Sequence, residues 1–164
     1  MTNPLAPIKP WAAKTRAILL PDSTENGIEE VLVKYYGQCL CGAIRYQLAG
    51  DPKLVALCHC KDCRRSAGAP MVAWAMFPES ALTVTEGQPK TINSSGTAMR
   101  SFCAECGSGL FYRNAAILPE LVDVQTSTLD DPDALAPTMQ IQVAERLVWM
   151  KHIHELPEFE RYPV

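Results

Sequence analysis

The amino-acid sequence predicts a mostly-β domain, and three observations support this prediction. From residue 31 onward, short runs rich in β-branched and aromatic residues are separated by turn residues. One of these runs, residues 43–48, alternates between apolar and polar side chains, as expected of a half-buried strand. Seven cysteines also lie in three closely spaced groups, a spacing typical of metal knuckles. The chain of 164 residues is long enough for one domain.

The first thirty residues differ in character from the rest of the chain. They contain four prolines and no sustained hydrophobic period, so we interpret residues 1–30 as an extended, proline-rich arm around Trp11. No linker divides the remainder, and residues 31–164 are therefore predicted to form a single domain.

Within this domain the pattern predicts strands separated by turns. The predicted strands are residues 43–48, 54–57, 72–77, 82–85, 90–93, 110–112, 121–125 and 147–153. Turn signals lie at residues 50–52, 86–87 and 95–96. One short helix is predicted over residues 61–67, where a cysteine group precedes Gly68. Among the aromatic residues, three are predicted to pack in the core of the sheets: Trp74, Phe77 and Phe111.

The composition argues against several classes of protein. Eighteen acidic residues outnumber fifteen Lys and Arg residues, which gives a net charge of −3 and argues against a nucleic-acid partner. No apolar stretch approaches the roughly 20 residues that cross a bilayer, and the run at residues 17–20 is too short for a signal peptide. We therefore expect a cytoplasmic protein with no membrane partner, whose cysteines stay reduced and available for metal.

Four of the cysteines are predicted to form a closed metal site. Each of two plain pairs is followed directly by a glycine, which supplies the positive φ angle that closes a metal knuckle. Zn²⁺ accepts four thiolates in tetrahedral geometry, and closed sites of this kind stabilise the fold. We therefore predict a structural zinc bound by Cys39, Cys41, Cys103 and Cys106.

The other three cysteines, Cys58, Cys60 and Cys63, are predicted to bind a second zinc. Three protein ligands leave a position for water or substrate, which is the arrangement of a catalytic zinc. Two other interpretations stay open, a metal-free redox cluster and a structural site completed by a histidine (His59, His152 or His154). In an extended segment His59 would point away from the ion, whereas His152 and His154 would share one face of the last predicted strand.

The cysteine motifs resemble those of a known family. Residues 37–46 (GQCLCGAIRY), 58–65 (CHCKDCRR) and 102–108 (FCAECGS) are similar to the signature of the glutathione-dependent formaldehyde-activating enzyme (GFA) family, which includes centromere protein V. Residues 68–78, 110–113 and the pair His152–Ile153 fit as well, so that the resemblance covers roughly residues 35–162. Two features depart from the pattern: the first thirty residues, and His154 where many members carry an aromatic residue.

The resemblance implies a fold, two metal sites and an activity. The implied fold is a β-tent of antiparallel sheets with zinc knuckles. It also implies a structural zinc on the four paired cysteines and an exchangeable zinc on the other three, two per chain in total. The implied activity is that of a carbon–sulfur lyase, which condenses glutathione with formaldehyde to S-hydroxymethylglutathione and catalyses the reverse reaction.

Two functional hypotheses follow from these observations. In the first, the open zinc activates the thiol of glutathione or a related small thiol, and Arg64 or Arg65 holds its carboxylates. An exposed helix face with a surface ion pair is an equally good interpretation of either arginine. In the second hypothesis both zincs are structural, and the β-tent is a non-catalytic module that binds a protein partner.

Overall fold

The computed structural model describes residues 33–163 and confirms the mostly-β class. The predicted arm, residues 1–30, lies outside the described residues, and the domain boundary at residue 31 therefore stays a prediction. Within the described part of the chain, no helix combines the length and apolar character needed to cross a bilayer.

Most of the described chain is arranged as short strands joined by turns. In chain order these strands are β1 (Lys34–Gln38), β2 (Arg45–Ala49), β3 (Leu54–Cys58), β4 (Val72–Pro78), β5 (Leu82–Glu86), β6 (Lys90–Ser95), β7 (Ala98–Phe102), β8 (Gly109–Arg113), β9 (Leu121–Gln125) and β10 (Met139–Ile141). The predicted helix is present as α1 (Lys61–Ala67). Short 3-10 helices cover Glu79–Ala81, Thr126–Thr128, Pro132–Leu135, Val143–Glu145 and Val148–Glu155.

The strands form two sheets. A three-stranded antiparallel sheet has the order β1-β2-β5, and a seven-stranded sheet has the order β10-β3-β4-β9-β8-β7-β6. Neighbouring strands of the larger sheet are antiparallel, as predicted, except that β10 pairs in parallel with β3 at the edge.

The main core packs β2 of the small sheet against β4, β8 and β9 of the large one. Tyr46 from β2 meets Phe111 from β8 edge to face, with ring centroids 5.1 Å apart. Phe77 and Phe111 are buried as predicted. Trp74 is also buried, but it belongs to a second, smaller cluster around Cys58 and Cys63. The two sheets are therefore held together by one apolar core, and the smaller cluster with Cys58, Cys63 and Trp74 lies outside it.

The predicted strand at residues 147–153 is wrong, because this segment forms the 3-10 helix Val148–Glu155. Its backbone groups bond locally, for example from the N–H of Met150 to the carbonyl of Leu147 at 3.1 Å. Met150 is the buried residue of this helix. The alternation in the sequence therefore does not mark one buried strand face, and β10 occupies the sheet edge instead.

We expect Leu110→Ala to lower the free energy of unfolding by about 2–5 kcal/mol, because this fully buried side chain leaves a cavity in the main core. The matched control is Leu40→Ala, whose side chain is 83% exposed and which we expect to change stability by less than about 0.5 kcal/mol. Urea denaturation of both variants measures the difference. Equal losses would contradict the core described above.

Candidate metal centres

Four thiols converge where the two sheets meet. Cys39 and Cys41 lie in the turn between β1 and β2, and Cys103 and Cys106 lie in the turn between β7 and β8. All four Sγ atoms are within 4.8 Å of one another, with 3.5 Å between Cys39 and Cys41 and 3.8 Å between Cys41 and Cys103. We call this group the four-thiol cluster. It connects the small sheet to the large one.

The backbone of both turns explains why these thiols converge. The glycines that follow the pairs, Gly42 and Gly107, have φ angles of 75° and 77°, in the left-handed region that favours glycine. Each glycine N–H donates to the carbonyl of the first cysteine of its pair, at 3.0 Å for Gly42 and 2.9 Å for Gly107. Both cysteines of a pair are thereby turned to the same side.

The four-thiol cluster fits a zinc ion. Tetrahedral zinc with Zn–S bonds of about 2.3 Å requires sulfur–sulfur distances of roughly 3.8 Å, close to those observed. The backbone N–H of Ile44 donates to Sγ of Cys39 at 3.3 Å, so that this sulfur has a hydrogen-bond donor on its protein side. Cys39 and Cys103 are buried, so that a metal held here is shielded from solvent on that side.

The other three thiols lie at the junction of β3 and α1. Cys58 ends β3, Cys60 caps the start of α1, and Cys63 lies in its first turn, where residues i and i+3 share a side. The Sγ atom of Cys60 accepts a hydrogen bond from the backbone N–H of Cys63 at 3.2 Å. The three Sγ atoms lie within 4.8 Å of one another, and this three-thiol cluster offers the soft donors that zinc prefers.

Side chains of the large sheet lie on one side of the three-thiol cluster. Cross-strand pairing places Arg100 of β7 opposite Tyr112 of β8, and Tyr112 opposite Asp123 of β9, all on one face. The Nη2 atom of Arg100 donates to Sγ of Cys63 at 3.6 Å, and its guanidinium lies 4.8 Å from the centroid of the Tyr112 ring. Trp74 packs against the same tyrosine, at 6.1 Å between centroids.

The electrostatics of this face favour negative charge on one sulfur. Hydrogen bonding from the Cys58 thiol, and then from Arg100, lowers the pKa of Cys63 to about 5 despite its burial. The pKa of Cys58 is raised by the same sulfur contact and by burial. Burial, together with the negative charge of Cys63, raises the pKa of the Asp123 carboxyl to about 6. The carboxyl group of Asp123 is therefore close enough to Cys63 for their negative charges to repel each other.

The histidines lie outside both clusters. Within the described residues, the groups that can hold a metal contain cysteines alone. His59 is buried, and its Nε2 atom lies 2.9 Å from Oε1 of Gln140 on β10. His152 and His154 are exposed beside Glu155 in the last 3-10 helix, so the prediction that they share a strand face is wrong.

The two arginines after Cys63 line a pocket. Arg64 is half-buried and its Nε atom donates to the carbonyl of His59 at 3.2 Å, whereas Arg65 is exposed. Among the described residues neither arginine forms an ion pair, which leaves their charges available to a ligand. Together with Leu147 and Trp149 they border a pocket of about 220 Å³ at the C-terminal end of α1.

Arg100, Tyr112 and Asp123 do not stand out as functional residues in the sequence. Tyr112 and Asp123 belong to predicted strands, but only the observed register shows that they lie in one row with Arg100. The strand β7 was not predicted, because Arg100 and Ser101 interrupt its apolar pattern. In the sequence, an arginine between the apolar residues Ala98 and Phe102 was an indication that this segment buries a charge.

The sequence profile of the family described as "glutathione-dependent formaldehyde-activating enzyme" matches residues 34–145. The chain belongs to the GFA family. This result confirms the resemblance found in the cysteine motifs. The matched region contains both thiol clusters and ends before the 3-10 helix Val148–Glu155.

Individual relatives agree with this membership. The chain is 35% identical over 80 residues to an "uncharacterized lyase" of Schizosaccharomyces pombe, covering 48% of this chain and 57% of that protein. It is 30% identical over 104 residues to a "putative glutathione-dependent formaldehyde-activating enzyme" of Halomonas elongata, covering 57% and 64%. The match therefore spans less than two thirds of each relative.

A solved structure shares the fold. The crystal structure of a Rhodobacter sphaeroides protein superposes with a TM-score of 0.50 and 25% sequence identity. It covers 64% of this chain and 98% of the other, so that nearly the whole of that protein corresponds to part of the domain described here.

The raised pKa of Asp123 predicts a pH-dependent stability. Because the folded state binds this proton more tightly than the unfolded state, stability falls as pH rises from the usual value of 3.8 through about 6. Asp123→Asn removes this cost, so its advantage over the wild type should grow by about 1 kcal/mol between pH 5 and pH 8. Urea denaturation at both pH values measures this change.

The matched control is Asp133→Asn, because Asp133 is exposed. This variant should differ from the wild type by less than about 0.5 kcal/mol at either pH. A stability difference for Asp123→Asn that is constant with pH, or that shrinks as pH rises, would contradict the assignment.

Proposed function

We propose that this protein is a zinc-dependent carbon–sulfur lyase that joins glutathione, or a related thiol, to an aldehyde such as formaldehyde. The observation that carries the proposal is the difference between the two thiol clusters. One presents four thiols between the sheets, and the other presents three thiols beside a row of polar side chains. Membership of the GFA family supports the same reaction class.

The two clusters receive different roles in this proposal. Cys39, Cys41, Cys103 and Cys106 bind a structural zinc, and Cys58, Cys60 and Cys63 bind the second. When bound there, zinc supplies a soft Lewis acid that favours the deprotonated form of a substrate thiol. Cys58 and Cys63 are buried, so the approach to this second site is through half-buried Cys60.

The pocket at the end of α1 binds the rest of the thiol substrate. Glutathione carries two carboxylates, and guanidinium groups bind carboxylates through paired hydrogen bonds. Arg64 is held in place by its hydrogen bond to the carbonyl of His59, while exposed Arg65 adapts to the ligand. Leu147 and Trp149 provide the apolar wall. Because α1 carries both Cys63 and the arginines, it links substrate binding to the thiol cluster.

Asp123 is the group that we assign to proton transfer. Addition of a thiol to formaldehyde forms a carbon–sulfur bond and places a proton on the former carbonyl oxygen, and the reverse reaction removes that proton. A carboxyl group near Cys63 with a pKa of about 6 can give and take a proton near neutral pH. Its partial burial disfavours the charged form, so that this carboxyl group keeps its proton closer to neutral pH than an exposed aspartate does.

The cysteine content and the excess of acidic residues also support a proposal about the compartment and partners of the protein. The protein acts in the cytoplasm on a small thiol, without a nucleic-acid or membrane partner. We place the catalytic chemistry in the predicted domain, residues 31–164.

Purified protein should accelerate the formation of S-hydroxymethylglutathione from glutathione and formaldehyde above the spontaneous rate. The Cys60→Ser variant is the matched control, because it removes one thiol of the three-thiol cluster and leaves the four-thiol cluster intact. Nuclear magnetic resonance exchange measurements can follow the reaction at equilibrium. A wild-type rate equal to the spontaneous rate would contradict the lyase and favour a non-catalytic, partner-binding module.

Metal analysis should find two zinc ions per chain. Cys60→Ser should remain folded with one zinc, whereas Cys103→Ser should unfold. Loss of a structural zinc removes on the order of 10 kcal/mol, which is comparable to the whole stability of a domain. Zinc content and circular dichroism measure both results. A folded Cys103→Ser variant with undiminished stability would contradict the structural assignment.

A further inference from the structure

We infer that Arg100 is a positioning residue for the three-thiol cluster, where its guanidinium group offsets the negative charge of the bound metal and thiolates and orients Cys63. The inference rests on the proposed binding of zinc by Cys58, Cys60 and Cys63. It adds to that proposal a cation that reaches the cluster from another part of the chain.

The geometry fixes the guanidinium group on two sides. Its Nη2 atom donates to Sγ of Cys63 at 3.6 Å, within the range of hydrogen bonds to sulfur. Its carbon lies 4.8 Å from the centre of the Tyr112 ring, close enough for a cation–π contact. The residue is only 8% exposed. Contacts with Tyr112 and Cys63, and not hydration, therefore fix the orientation of the Arg100 side chain.

The charge of Arg100 requires a negative partner. A buried cation without one is costly, and a buried arginine is normally paired with a carboxylate. Among the ion pairs of residues 33–163, none includes Arg100. The sulfur of Cys63 is the acceptor that it reaches. A negative charge on the three-thiol cluster would therefore balance this buried cation.

A zinc ion in this cluster would make it negative. Three thiolates exceed the double charge of the ion by one negative charge, and a thiolate substrate would add a second. At short distance and low effective dielectric constant, the positive charge of Arg100 would offset a substantial part of the repulsion between the bound thiolates and a thiolate substrate. Arg100 therefore favours retention of the metal and acceptance of an anionic fourth ligand.

The test measures zinc affinity in the full-length protein by competition with a chromogenic chelator. Arg100→Met keeps an apolar stem and removes the charge and the donor. Loss of a group that hydrogen-bonds to a metal ligand typically weakens affinity about 10–100-fold, and we expect this increase in the dissociation constant of the second zinc. Arg100→Lys retains the charge and should recover part of the loss.

The matched control is Arg113→Met. Arg113 also lies over an aromatic ring, 5.8 Å from the centre of Phe111, but it pairs with Glu79 on the surface. This variant should bind both zinc ions as the wild type does. If Arg100→Met binds the second zinc as tightly as the wild type, the inference is wrong.

A spectroscopic readout separates positioning from general destabilisation. With Co²⁺ in place of zinc, a hydrogen bond to a thiolate lowers the energy of the sulfur electrons, so that Arg100→Lys should shift the thiolate-to-cobalt absorption band. This variant preserves size and charge, and it provides the test if Arg100→Met does not fold. An unshifted band, with unchanged affinity, would overturn the inference.

The same measurements distinguish failure of the inference from failure of the proposed function. If the wild type binds a single zinc at the four-thiol cluster, both the proposed second zinc and the role of Arg100 are wrong. If it binds two, and the Arg100 variants bind two with equal affinity, only the role of Arg100 is wrong.

Discussion

The convergence of four thiols between the two sheets is the constraint on which the rest of the structure depends. It joins the β1–β2 turn to the β7–β8 turn, which are about sixty residues apart in the chain. Once these turns are joined, the apolar faces of β2, β4, β8 and β9 lie opposite each other and form one core. That core in turn positions the row of polar side chains along β7, β8 and β9.

The second cluster has the opposite construction. Its three thiols come from six consecutive residues and are brought together by the end of a strand and the first turn of a helix. Its surroundings come from distant strands: a buried arginine donates to Cys63, and a half-buried carboxyl group is close enough to repel the charge of the same sulfur. Arg100 stabilises negative charge on Cys63, and a charged Asp123 opposes it. The three thiols thus come from one short stretch of sequence, whereas the charged groups near them come from strands of the large sheet.

The sequence was sufficient for features that depend on neighbouring residues. Glycine after a cysteine pair, the turn residues and the hydrophobic alternation predicted the knuckles, α1 and most strands. The sequence was insufficient for elements whose structure depends on tertiary contacts. The strand β7 carries Arg100 at a buried position, and β10 is a short edge strand with exposed side chains, so neither shows a clear pattern. The last segment alternates in sequence but satisfies its backbone locally, which alternation cannot reveal.

The parallel edge strand β10 has a consequence for how this protein can diversify. This strand hydrogen-bonds to His59, which lies between Cys58 and Cys60. The carbonyl of Ile141 accepts from the backbone N–H of His59, and the side chain of Gln140 contacts its ring. The chain then continues into Leu147 and Trp149, which face the pocket beyond the end of the family match. The pocket is thus lined partly by α1, which also carries Cys63, and partly by a separate C-terminal segment. Substitutions in the C-terminal segment can therefore reshape one wall of the pocket while the thiols stay in place.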